Sequence, residues 1–302
     1  MAHLRALGCY LPERVVDNSE IAAAVGADPA WILQSTGIEQ RRVAAPGETV
    51  VSMGVRAAQN CLAGAGGIGL ILVSSGSAGR RFPGPAAEIA TALGLAGVPA
   101  IDLPMASAGS LFGIALAAHL AGTYRNVLVI ASEIMSRVVR LDPAGRDTAI
   151  LFGDGAGAAL VSEESGLAQV VDSVLHSDGE CAEALSLPHD APLHMDGRTV
   201  ILQAARKLPR AITEVLDRNQ VRPADVATFL MHQANLNLIT RVAQSLQVPE
   251  QRFYRNLHRY GNTSSASLLI AAAECHRDRA FTAPTVLATF GAGLHWGAVL
   301  LR

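Results

Sequence analysis

The 302-residue chain predicts a layered α/β fold made of two halves related by an approximate twofold. Short apolar runs alternate with helix-length segments throughout, and the order strand-helix-strand-helix-strand occurs twice at an offset of about 158 residues. The composition is 50% hydrophobic but only 4% aromatic, which suits helices packed closely on sheets through small side chains. The halves are expected at residues 1–162 and 163–302.

In the first half, Leu4 to Gly8 reads as a strand, Leu11-Pro12 as a turn, and the following helix as capped by Asn18 or Ser19. Gly69 to Ser74 is a short apolar run bounded by glycine and serine, hence a buried strand; Pro85 to Leu93 reads as a helix and Val98 to Leu103 as the next strand. A long apolar helix starts at Ser107, Asn126 to Ala131 is a strand, and Ala149 to Val161 opens another through a glycine turn. In the second half, Ala227 to Met231 matches 70–74, a helix runs from about Asn235 to Leu246, and Phe253 to Leu257 matches 98–103. Ser264 to Glu274 stands in the place of the Ser107 helix and Thr285 to Phe290 in that of 126–131. The two copied helices are expected to lie between the sheets.

Ser107 is the candidate reactive residue. Unpaired N–H groups in the first turn of a helix, together with its dipole, favour negative charge beside it. Gly109, Gly113, Ala117 and Ala121 recur every fourth position, so one helix face is nearly flat and a neighbouring helix is expected to approach closely. The plain alternative makes Ser107 only an N-cap, the common task of serine at a helix start. A membrane span is set aside because Asp102, Pro104 and His119 interrupt the run and interfacial Trp and Tyr anchors are missing. Two further loops are expected to converge on Ser107: His232 to Asn235, directly after a strand, and Tyr260 to Ser267, directly before the copied helix. His232 is a general base or hydrogen-bond donor, and the Asn262 amide can donate to a carbonyl oxygen.

Other features point away from competing functions. Lys plus Arg number 24 against 26 Asp plus Glu, so there is no polyanion-binding field; nucleic acid is not expected as a partner, and a small molecule is. Cys9, Cys61, Cys181 and Cys275 are widely spaced, without zinc or redox spacing, and read as reduced, mostly buried thiols. His176, His189 and His194, with Asp178, Asp190 and Asp196, lack metal-ligand spacing and read as a surface loop, so no metal is expected. Gly153 to Gly157 lacks the phosphate-loop lysine and reads as a tight turn beside the site, while His119 reads as a satisfied buried histidine. His258 and His295 flank the site motifs with no assigned role. No signal-peptide pattern begins the chain, and a cytoplasmic location is expected.

At this point the chain resembles the β-ketoacyl-acyl carrier protein synthase III family of the thiolase superfamily. The likeness rests on Trp31 to Ile38, Phe82-Pro83, Asp102 to Gly109, Leu151 to Ala158, His232 to Asn235, Tyr260 to Ser267 and Phe290 to Gly297. It implies a thiolase-like fold layered α-β-α-β-α and a Cys-His-Asn triad that accepts an acyl group, decarboxylates a malonyl thioester and joins the two. Carried over by position, the triad is Ser107, His232 and Asn262, and the oxyanion hole is the backbone N–H of Ser107 and of Ala292. Trp31, Arg146 and Asn235 would contact coenzyme A, and Phe82 would reach over the acyl pocket of a second subunit in a homodimer. No bound cofactor is implied; coenzyme A or a phosphopantetheine thioester is substrate, and an acyl carrier protein is a possible partner.

The departures are chemical. Serine stands where the family has cysteine, and a hydroxyl, unlike a thiol, needs His232 to remove its proton. An oxygen ester is also a poorer target for a carbanion than a thioester, which favours transfer to a hydroxyl, an amine, water or another thiol. Ser35, Asn237 and Leu202 stand at family basic positions, for which Arg206, Lys207, Arg210 and Arg241 are candidate substitutes. The expected activity is acyl transfer through a Ser107 ester in polyketide, fatty-acid-like or other secondary metabolism. The alternatives are a thioesterase using the same acyl-enzyme and a non-catalytic ketosynthase-like partner protein.

Overall fold

A computed structural model of the chain describes residues 1–63 and 66–302. Its main element is a nine-stranded mixed sheet in the order Thr228–Met231, Thr285–Gly291, His295–Leu301, Ala168–Ser177, His3–Tyr10, Asp154–Ser162, Asn126–Ile134, Leu70–Ser74 and Ala100–Leu103. The duplication is visible in the pairing. Leu70–Ser74 runs parallel to Asn126–Ile134, which runs antiparallel to Asp154–Ser162; Thr228–Met231 repeats this with Thr285–Gly291 and His295–Leu301. The halves meet where His3 and Leu4 pair with Gln169 and Ala168, so the expected sheets are joined edge to edge.

Five layers result. Helices Val50–Leu62 and Ala86–Ala92 cover the outer face of the first half-sheet through Met53, Ala57 and Ile89. Helices Gly109–Tyr124 and Ser267–Arg279 occupy the middle, sharing one core with strands of both halves. Gly197–Arg218 and Leu236–Leu246 close the far side through Ile212, Val215 and Val242. The middle helices bury most of their length, with Leu111, Ile114, Ala117 and Ala121 on the first and Leu268 to Ala272 on the second, and reach solvent at positions such as Leu116, His119 and Arg277.

Several local expectations are corrected. The flat face of the Ser107 helix packs on the sheet, not on a helix: a Cβ at Gly113 would lie 2.7 Å from Val129 Cγ1, and one at Gly109 would collide with Ser74. Phe253 makes a single parallel bridge to Phe229 and no strand follows, since Leu257–Tyr260 is a helical turn. Asp17, rather than Asn18 or Ser19, caps the first helix, its carboxylate accepting from the N–H of Ser19 and Glu20. Asn18 is buried instead, donating to the Ile38 carbonyl at 2.6 Å and accepting from Arg41 at 2.9 Å. Gly153 to Gly157 is no tight turn. From Asp154 onward it is a buried strand, and the Asp154 carboxylate accepts from the N–H of Ala44 and of Ser136, both at 2.8 Å.

His119 is exposed, its Nδ1 against the Ala115 carbonyl at 2.8 Å. His176 belongs to a strand and not to a surface loop; it pairs with Glu214 at 2.8 Å and stacks on Trp296. No helix among the described residues is long and apolar enough to cross a membrane.

Candidate active site

Ser107 does not cap the helix that follows. The helix begins at Gly109, its N-cap position is Ala108, and no side chain bonds its first turn. Ser107 instead sits at φ +63°, in the left-handed region, at the centre of a three-residue turn closed by Ala108 N–H on the Ala106 carbonyl at 2.7 Å. Such a backbone costs of order 1–3 kcal/mol and persists only where its surroundings hold it. Two contacts do so here. The Ser107 N–H donates to Ser264 Oγ at 3.1 Å, and Gly291 lies so close that a Cβ there would be 2.2 Å from the Ala106 carbonyl oxygen and 3.0 Å from Ser107 Cβ.

His232 follows the strand Thr228–Met231 and is fixed by its own N–H on the Ala288 carbonyl at 2.9 Å. Its Nδ1 is hydrogen-bonded to Ser267 Oγ, which also accepts from the Gln233 N–H at 3.1 Å. Burial pushes the imidazole pKa down to about 3, so the ring is neutral at ordinary pH. Asn262 is held by main-chain bonds to Leu151 and Gly153, at 2.9 and 3.1 Å. Its Oδ1 accepts the Ser264 N–H at 2.9 Å, which turns the amide NH2 away from Ser264.

The structure thus brings Ser107, His232 and Asn262 to one cavity of about 80 Å³, whose other walls, among them Phe152, Met195 and Phe290, are mostly apolar. A second and larger space, about 1110 Å³, lies against the same turn; it is lined by Ala106, Ala292, Gly293 and His295, and by the 79–84 and 187–192 segments.

The predicted oxyanion pair is only partly free. Ala292 lies in the Gly291-Gly293 turn, whereas the Ser107 N–H is engaged by Ser264, because the copied elbow faces the first across the site. Sequence reasoning missed Ser264, Ser267 and Glu133, which tie the two halves together beneath the site. The Glu133 carboxylate, 0% exposed, accepts from Ser77 Oγ at 2.5 Å and Ser265 Oγ at 2.6 Å, and from the Gly76 N–H. Their signal was a run of hydroxyls, Thr263 to Ser265 and Ser267, at the start of an otherwise apolar helix.

Asn235 lines the cavity, and apart from it the Trp31 ring lies 5.4 Å from the Arg146 guanidinium. Asn235 and Asn237 both donate to the Ser35 carbonyl at 3.0 Å, so two positions that would carry charge in the family are joined by neutral bonds. Lys207 cannot substitute for them: it is buried, paired with Asp178 at 2.5 Å and lying over the Trp296 ring. Arg206, Arg210 and Arg241 are exposed, as is Leu202. Phe82 is 84% exposed on the segment beside the larger space.

Comparison with known proteins decides the family. The model of "3-Oxoacyl-[acyl-carrier-protein (ACP)] synthase III" matches residues 101–179 and that of its C-terminal part matches residues 216–302. A β-ketoacyl-[acyl-carrier-protein] synthase III from Oleidesulfovibrio alaskensis is 36% identical, covering 100% of this chain and 98% of its own. The chain belongs to the β-ketoacyl-acyl carrier protein synthase III family. Another such synthase, from Salmonella typhimurium, is 37% identical over 98% of this chain and 97% of its own. The structure of the synthase III from Aquifex aeolicus superposes with a TM-score of 0.95 at 32% identity, covering both chains completely. The priming β-ketosynthase of the R1128 polyketide pathway superposes at 0.92 and 33% identity, over 100% of this chain and 96% of its own. The chain therefore has the thiolase-like architecture that the resemblance implies, built on the two-half plan that the duplication predicts, and is an acyl-transferring condensing enzyme by family.

Proposed function

We propose that the protein transfers an acyl group from a coenzyme A or carrier-protein thioester onto Ser107 and then to an acceptor, within fatty-acid or polyketide-type biosynthesis. The observation that carries this reading is that Ser107, on a strained turn, shares one cavity with a neutral, buried His232 and with Asn262.

With Nδ1–H donating to Ser267, Nε2 of His232 is the basic nitrogen. It takes the Ser107 proton as Oγ bonds to the thioester carbonyl carbon. The tetrahedral oxyanion is met by the N–H of Ala292 and by the Ser107 N–H that Ser264 also holds. Collapse breaks the carbon–sulfur bond, and the departing thiolate takes the proton from His232. In the second step His232 accepts the proton of an acceptor hydroxyl, amine or thiol as that group bonds to the ester carbonyl carbon, and returns it to Ser107 Oγ as the carbon–oxygen bond of the ester breaks. Asn262, free to donate through its NH2, polarises a carbonyl of the second substrate.

The donor enters past Trp31 and Arg146. The neutral Ser35–Asn235–Asn237 cluster weakens the demand for the phosphates of coenzyme A, so the pantetheine arm contributes most of the recognition. Homodimer formation is part of the reading. Phe82 and Ile101 are exposed, 84% and 47%, and Ile101 lies on Ala100–Leu103 at the open edge of the sheet, where a second copy would continue the sheet and bring its Phe82 over the larger space. Incubation with acyl coenzyme A and acyl carrier protein donors, followed by intact-protein and peptide mass analysis, tests the central claim. One acyl group on the peptide containing Ser107 is expected, and label elsewhere, or none, overturns it.

A further inference from the structure

The two spaces beside the Ser107 turn, one lined by Ser107 and the other by Ala106, differ in kind, and the difference bears on which acyl group the protein takes. At an acyl carbonyl the thiol arm and the acyl chain leave in different directions. With the arm taken to reach Ser107 through the mostly apolar cavity that Asn235 helps to line, the acyl chain is left with the larger groove beside Ala106, Ala292 and Gly293. That groove is polar beside the Gly291-Gly293 turn. His295 lines it directly after the Gly291-Gly293 turn, with its imidazole so close to Gly293 that a Cβ there would be 2.2 Å from His295 Cδ2. Phe112, from the Ser107 helix, meets the ring edge-on at 5.7 Å, and Ser177 Oγ holds Nδ1 at 2.7 Å. The ring is therefore fixed in orientation, with Nε2 as its unengaged nitrogen.

The charged groups of the groove are already engaged. Arg80 bonds the Pro83 carbonyl at 2.8 Å and pairs with Glu88; Arg81 lies 3.6 Å from Asp190. Arg137 donates to the carbonyls of Ala45 and Glu48, both at 2.8 Å, and Asp102 accepts the Ala86 N–H at 2.9 Å. Among the described residues, then, these three guanidiniums have partners already and would not select an acyl carboxylate. Burial also holds the His295 pKa below its ordinary value, which keeps the ring uncharged.

We infer that His295 is a specificity-determining residue, which hydrogen-bonds an oxygen on the first few carbons of the acyl chain, so that short hydroxy- or keto-acyl groups are taken in preference to plain hydrocarbon ones. This rests on the acyl-Ser107 reading above. A neutral imidazole whose Nδ1 is held by Ser177 presents one fixed polar atom, which suits an uncharged oxygen. A hydrocarbon chain in the same place would leave that nitrogen without a partner.

The test is the rate of Ser107 labelling by butyryl, 3-hydroxybutyryl, acetoacetyl and succinyl coenzyme A, read by intact mass. The wild type is expected to favour the hydroxy or keto donor over butyryl by about fivefold, the usual weight of one hydrogen bond. His295→Leu is expected to erase that ratio by slowing the oxygenated donors more than butyryl, and His295→Gln, which keeps a polar end, to retain part of it. Equal wild-type rates for butyryl and its oxygenated analogues, a ratio unchanged in His295→Leu, or a preference for succinyl would overturn the inference while leaving Ser107 acylation standing. No label from any donor would remove the acyl-Ser107 reading, and this inference with it.

Discussion

Ser107 and Ser264 occupy equivalent places in the two halves, 157 positions apart, and the same physics shaped both. Each has positive φ, +63° and +48°, and each precedes a buried apolar helix of the middle layer. What differs is the use of the polar atoms. Ser264 gives its N–H to Asn262 and its oxygen to the Ser107 N–H, whereas the Ser107 hydroxyl faces the cavity of His232 and Asn262. Duplication therefore supplied two strained elbows, and the chemistry went to the one whose hydroxyl was left free. The other became its support, since a left-handed serine persists only where neighbours hold it.

The largest expected effect comes from removing the free hydroxyl. Ser107→Ala should take up no acyl label, while Ser264→Ala should still be labelled to one equivalent at Ser107; intact mass of the two variants side by side checks this. Label retained in Ser107→Ala would mean that the two elbows have been assigned the wrong way round. Next in size is His232→Ala. A serine hydroxyl cannot ionise unaided, so the acylation rate should fall by roughly 10²–10⁴, the range for loss of a general base. Stopped-flow release of coenzyme A measures it, and a drop of less than about tenfold would be too small for that role.

Ser107→Cys alters the second step more than the first. A thioester is a better target for a carbanion than an ester, and the thiol loses its proton more readily than the hydroxyl. The variant should form more β-ketoacyl product from an acyl donor and a malonyl thioester than the wild type, and transfer less acyl to hydroxyl or amine acceptors. Product mass analysis of both proteins decides. A variant that acylates readily yet makes no condensed product would place the divergence in the acceptor site instead.

Much of this site was legible in the chain before folding, and the exceptions have physical reasons. Ser107, His232 and Asn262 were found because each follows or precedes an element whose apolar pattern is strong. The plain reading of Ser107 as an N-cap failed because serine carries no local mark of a positive φ; the turn is enforced by Gly291 and Ser264, about 180 and 157 positions away. The Gly153 to Gly157 run misled for the opposite reason. Its glycines are there so that a buried strand can approach Tyr260 and Leu269, contacts that only the assembled layers create. Lys207 is a candidate substitute for a missing basic position in sequence, yet it is committed to Asp178, 29 positions away on another element. Phe253 was expected to begin a strand by analogy with the first half. Here a single bridge and stacking on Phe229 at 4.6 Å replace the ladder.

The smallest effect separates support from chemistry most finely. Ser264→Ala removes the oxygen that accepts the Ser107 N–H but leaves its own N–H on Asn262, so the cavity keeps all three candidate residues. Two consequences then oppose each other. The Ser107 N–H is released for the oxyanion, which would speed acylation, and the strained turn loses a fixed partner, which would slow it. The Gly291 contact remains, but it is steric and restrains only one side of the turn, while the lost hydrogen bond sets the N–H direction. A buried hydrogen bond contributes about 1 kcal/mol, so acylation should slow by about fivefold, with the KM for the donor nearly unchanged because the donor-binding walls are untouched. Steady-state kinetics with one acyl coenzyme A separates kcat from KM. If Ser264→Ala acylates faster than the wild type, then Ser264 restrains the oxyanion donor, and the second elbow is a brake on the first instead of its support.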